Sequence, residues 1–126
     1  MKQCQSSQES GLLPEADAEQ IERVRRACEW DKVRLYPNAE YHLLLWRIGE
    51  TTLRQAVREH IEKGRKVFRK PDPKDPGKLL PMNLQANISI FDDSKDIYVE
   101  MILTPTVFIF LNAHEHTLSA RERLPQ

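Results

Sequence analysis

Two short stretches of this chain carry side chains able to handle protons and phosphates. His114 and His116 stand two residues apart at the end of an apolar run, Val107-Phe108-Ile109-Phe110-Leu111-Asn112-Ala113. If that run is a strand, alternation puts both imidazoles on one side, together with Phe108, Phe110 and Asn112. Imidazoles titrate near neutral pH, so the pair suits general acid and base work, or metal ligation once a third ligand joins it. Cys4, Cys28, His42 and His60 would have to converge from distant places to supply that ligand. None sits in a ligand-spaced motif, so neither a metal nor a cofactor is expected. The plainer alternative is a polar strand end in solvent.

The second stretch runs from Lys63 to Lys70, with five cations in eight residues and no acid between them. Such a cluster can hold phosphates, displacing their counterions, which makes Arg65, Lys66, Arg69 and Lys70 candidate phosphate ligands. Strand parity would set Arg65 with Arg69 on one side and Lys66 with Lys70 on the other. The competing reading is an edge strand kept soluble by its charges. His60 and His42 read as packing residues on helices.

Other chemistries are excluded by what the chain lacks. Its four glycines, Gly11, Gly49, Gly64 and Gly77, build no phosphate-cradling loop, and no serine sits in a nucleophile elbow. Asp92-Asp93-Ser94-Lys95-Asp96 has oxygen donors at calcium-loop spacing. Ile97 stands where such a loop needs glycine, and Leu103 where it needs a bidentate glutamate, so a hairpin turn is expected.

The elements that must position these residues are legible from periodicity. Residues 1–13, rich in Gln, Ser and Glu, have little to bury and are expected to be a disordered leader, with 14–126 forming one domain. Ala18, Ile21, Val24, Ala27 and Cys28 recur at helical spacing between Glu15 and Trp30. Val33 to Tyr36 reads as a brief extended segment before Pro37. Tyr41, Leu44, Leu45 and Ile48, at i, i+3, i+4 and i+7, predict a second helix that buries that stripe and stops at Gly49.

Thr52-Leu53-Arg54-Gln55 has capping-box form and predicts the start of a third helix, with Leu53, Ala56, Val57 and Ile61 inward and a stop at Lys63-Gly64. Pro71, Pro73, Pro76 and Pro81 predict a long surface loop at 71–81. Leu84, Ala86, Ile88 and Ile90, then Ile97, Val99, Met101 and Leu103, alternate with polar residues as strands do. The fold class is α+β, about three N-terminal helices on one face of a small antiparallel meander of three to four strands. The tail from Thr117 to Gln126 could be a short helix or a loose end.

Nineteen basic and nineteen acidic residues cancel, so no global field draws the protein to nucleic acid or a membrane. The apolar runs are too short to span a bilayer and the amino terminus has no secretory h-region, so no membrane partner and a cytoplasmic location are expected. Cys4 and Cys28 form no framework and are expected as reduced thiols.

Helices, a basic turn and an antiparallel meander closing on a strand with a His-rich end resemble the RelE/ParE-like small toxins and their BECR-fold ribonuclease relatives. The resemblance spans roughly Val33 to Arg123 and rests on the order of elements, on Arg65 to Lys70 and on Val107 to His116. It implies RNA binding and metal-independent cleavage: His114 and His116 as base and acid, Arg65 and Arg69 as a cationic clamp, and Tyr98 as a further proton donor. Near-zero net charge and the proline-rich segment depart from the family's pattern. The alternative function is a non-enzymatic protein-binding module, antitoxin-like, immunity or adaptor, using the same sheet. The long apolar strands also suit pairing across a homodimer edge.

Overall fold

A computed structural model describes residues 14–29, 33–90, 95–105 and 108–115. The leader at 1–13, the turn residues Asp92, Asp93 and Ser94, His116 and the tail at 117–126 lie outside the described residues.

Helix α1 (Ala18–Glu29) starts at a reciprocal capping box. The Asp17 carboxylate accepts from the Gln20 N–H at 2.8 Å, and the Gln20 side chain accepts from the Asp17 N–H at 2.9 Å. Along its outer side Glu22 accepts from Arg25 and Arg26, and the Arg25 hydrogen bond chiefly holds the Glu22 carboxyl down at about 2. Val24 and Cys28 face the core, with Ile21 and Ala27 packed beside them.

Strand β1 (Val33–Leu35) takes the expected extended form, and α2 (Pro37–Leu45) follows with proline at its first turn, where the missing N–H costs nothing. It ends in a Schellman arrangement. Ile48 N–H donates to Leu43 O and Arg47 N–H to Leu44 O, with Arg47 left-handed at φ 57 where glycine is usual.

Helix α3 (Glu50–Glu62) begins at Gly49, earlier than expected; Thr52 is inside the helix and caps nothing. Its end matches the sequence reading: Gly64 is left-handed at φ 71, and Arg65 N–H donates to His60 O. Leu53 and Val57 are fully buried, with Ala56 and Ile61 beside them.

The sheet has five strands in the order β1-β5-β4-β3-β2, comprising β2 (Phe68–Asp72), β3 (Asp75–Ile90), β4 (Lys95–Leu103) and β5 (Phe108–Glu115). Strands β2 to β5 are antiparallel neighbours, and β1 adds to β5 in parallel. The fold is α+β. Leu84, Ala86, Ile88 and Ile90 of β3 and Ile97, Val99, Met101 and Leu103 of β4 join residues of all three helices in one core, as their alternation predicts. Among the described residues the helices occupy one side of the sheet. None of them is long and apolar enough to cross a membrane.

Three further expectations are corrected. The proline-rich segment at 71–81 is not a loop but a surface hairpin, closing β2 onto β3 through Asp72 opposite Asp75. Its prolines are tolerated because β2 is an edge strand with register shifts on both sides of Pro71, and because β3 runs past β4 here, whose pairing begins only at Asn83 opposite Ile102. Asp72 Oδ1 accepts from the Lys74 N–H at 2.9 Å and fixes the turn.

In α2 the stripe Tyr41, Leu44 and Leu45 faces outward, at 60, 71 and 60 % exposure, while Ala39 and Leu43 face the core. Ile48, beyond the helix, is buried as expected.

In β5 the parity argument fails at Leu111. Met101 pairs with Phe110 and Glu100 with Asn112, so Leu111 is the extra residue of a bulge. Phe108 and Phe110 therefore face the helices, and Asn112 is on the other side with Glu100.

Candidate functional site

The side of the sheet away from the helices is a polar layer, ordered by the ladder. One row across the strands is Phe68, Gln85, Glu100 and Asn112; the next is Asn87 and Tyr98, with His114 backbone-paired to Tyr98. Ser89 and Asp96 form a third row, and Asn83 begins another. Polar side chains on alternate positions of a strand normally meet water, yet Gln85, Asn87 and Glu100 are 7, 4 and 4 % exposed. They form a recessed network of hydrogen-bonding groups.

Glu100 is the anchor. One carboxylate oxygen accepts from Lys70 Nζ at 2.7 Å and the other from Asn83 Nδ2 at 3.2 Å. Tyr98 donates its hydroxyl to Gln85 Oε1 at 3.1 Å, and Gln85 Nε2 donates to Arg69 O at 3.2 Å. Burial first, then the neighbouring Glu100 charge, push the Tyr98 phenol above its ordinary range. At neutral pH it is a hydrogen-bond donor and not a base. At the far end Ser89 donates to Asp96 at 3.0 Å and Arg65 reaches Ser89 Oγ at 3.3 Å.

The expected phosphate ligands divide differently from strand parity. Residues 65–67 precede β2, so alternation does not reach back to Arg65. Arg65 and Lys70 both reach the polar layer, at opposite ends. Arg69 is opposite Leu84, on the helix side, with its Nε buried and without a hydrogen-bond partner. Lys66 is exposed and ion-paired with Glu15 at 2.8 Å. Tyr98 lies in the layer, the His114 backbone pairs with Tyr98, and His116 falls outside the described residues. The sequence reading missed Gln85, Asn87 and Glu100. Their signal is the polar half of the strand alternation, Gln85 and Asn87 between the core positions of β3 and Glu100 between those of β4.

Elsewhere, His60 is buried and its Nε2–H donates to Lys66 O at 2.7 Å, stapling α3 to the approach of β2. Cys28 lines a shallow cleft of about 350 Å³ between α1 and α3. Burial pushes its thiol up to about 12, and Arg54 donates twice to its carbonyl, at 3.0 and 2.9 Å, capping α1. Among the described residues no group of three His, Cys, Asp or Glu side chains is arranged for a metal ion. No protein-family model, curated protein or solved structure matches the chain.

Proposed function

We propose that the protein binds single-stranded RNA along the polar layer of its sheet. The observation that carries this reading is the placement of Arg65 and Lys70 at the two ends of that layer. Arg65 is beside Ser89 and Lys70 beside the Asn83 end, six residues apart along β3, or about 20 Å. That separation suits an extended polyanion better than one phosphate group. Between the cations, the part-exposed Asn83, Ser89 and Tyr98 offer donors and acceptors to unpaired bases and ribose hydroxyls, while the buried Gln85 holds the Tyr98 hydroxyl in place. The protein's zero net charge makes the attraction local and weak in its long-range part.

Titrating a fluorescent unstructured RNA at several salt concentrations tests the proposal. With Arg65 on one phosphate and Lys70 shared between a second phosphate and Glu100, affinity falls with log salt at a slope between about −0.7 and −1.4, and Arg65→Ala reduces the slope by about 0.7. The same mixtures, held in EDTA, are examined for cleavage. Products made by the wild type and lost in a folded His114→Ala/His116→Ala variant assign metal-independent ribonuclease chemistry to that pair. Intact RNA leaves a binding protein. Absence of RNA binding overturns the proposal and favours the non-enzymatic protein-binding module.

A further inference from the structure

On the opposite side of the molecule α2 is apolar in both directions. Leu43 and Ala39 fill the core, and Tyr41, Leu44 and Leu45 form an i, i+3, i+4 stripe directed away from it. Tyr36, the N-cap residue, adds a fourth large apolar side chain at 43 % exposure. Scattered exposed leucines are ordinary, but four large apolar groups on and beside a nine-residue helix are a patch. We infer that this stripe is the interface of a homodimer in which α2 packs antiparallel on α2 of a second copy.

Charge complementarity selects the second copy. The stripe is flanked by Glu40 at one end and Arg47 at the other, both exposed and neither in an ion pair among the described residues. A two-fold axis through Leu44 sets Leu44 against its own copy and brings Glu40 and Tyr41 of each chain beside the partner's Arg47. One contact is an ion pair and the other a guanidinium over a phenol ring, each made twice. The helix closes at Leu45 with Trp46 as its cap, and Arg47 follows directly with a left-handed backbone. Paired stripes would bury on the order of 400 Å² of apolar surface per protomer, placing the dimer among small, reversible interfaces. The polar layer is on the other side of the sheet, so dimerisation is independent of the RNA reading.

Sedimentation velocity over a concentration series from micromolar to near millimolar tests the inference. The wild-type mass rises from 14.8 kDa toward twice that value with concentration. Leu44→Glu abolishes the rise while the far-ultraviolet circular dichroism stays unchanged, since Leu44 is exposed. Glu40→Arg and Arg47→Glu each weaken association at least threefold, and the Glu40→Arg/Arg47→Glu double variant regains the wild-type constant. A wild type that remains monomeric throughout overturns the inference. So does a dimer indifferent to Leu44→Glu, or a double variant no better than either single one.

Discussion

Lys70 and Glu100 meet across an intervening strand: Lys70 is on β2, Glu100 on β4, and the ammonium spans β3 to reach Oε1 at 2.7 Å. The Glu100 side chain is 5 % exposed and Lys70 27 %, so this cation and Asn83 are the partners that compensate the buried carboxylate. Lys70→Met should destabilise the fold by about 2 kcal/mol, less than for a fully enclosed pair because Lys70 is still partly in water. Adding Glu100→Gln should recover most of the loss. Urea denaturation of the four members of the cycle measures the coupling, and additive losses would mean the pair is not a unit.

Adjacent leucines report how α2 is turned. Leu43 is 2 % exposed and Leu44 71 %. Leu43→Ala should cost about 2–5 kcal/mol through lost burial and a cavity, and Leu44→Ala no more than about 0.5 kcal/mol in dilute monomer. Thermal or urea unfolding at low micromolar concentration distinguishes them. Equal costs would place the stripe in the core.

His60 gives the fold a pH dependence of known sign. Burial, reinforced by the Arg65 charge, lowers its pKa below the usual 6.5, against the raising effect of its bond to Lys66 O. The unfolded chain therefore takes up a proton that the native protein refuses, and stability falls as pH drops below about 6.5. Above that value both states hold a neutral ring and the contribution is flat. His60→Gln, which keeps a donor for the carbonyl, should remove the decline between pH 6.5 and 5. Denaturation midpoints of both proteins across this range give the comparison, and parallel curves would contradict the assignment.

Much of the fold was legible because periodicity records burial. The alternation of Leu84 to Ile90 and of Ile97 to Leu103 marked the core side of the sheet, and Lys63-Gly64 marked the end of α3. Periodicity does not say which of two apolar faces meets the core. In α2, Leu43 and Ala39 lie opposite Tyr41, Leu44 and Leu45, and the larger set is the one that faces solvent.

The bulge at Leu111 was equally hidden. One unpaired residue reverses every parity after it, and no residue type there announces it. Prolines signalled a loop at 71–81 because their missing N–H groups argue against a central strand, whereas a projecting edge hairpin needs few of those donors. The candidate site was half legible. Lys70, Arg65 and Tyr98 are recognisable by residue type, but their placement along one layer depends on the turn after Gly64 and on cross-strand register, which are properties of the assembled sheet.

The polar layer as an RNA surface is tested most directly by a two-dimensional amide NMR titration of the isotopically labelled protein with a short unstructured RNA. The account predicts saturable shifts at Asn83, Gln85, Asn87, Ser89, Tyr98, Glu100 and Asn112, including the side-chain amides, with α1 and α3 unmoved. Shifts confined to the helix side, or none at saturating RNA, would contradict it.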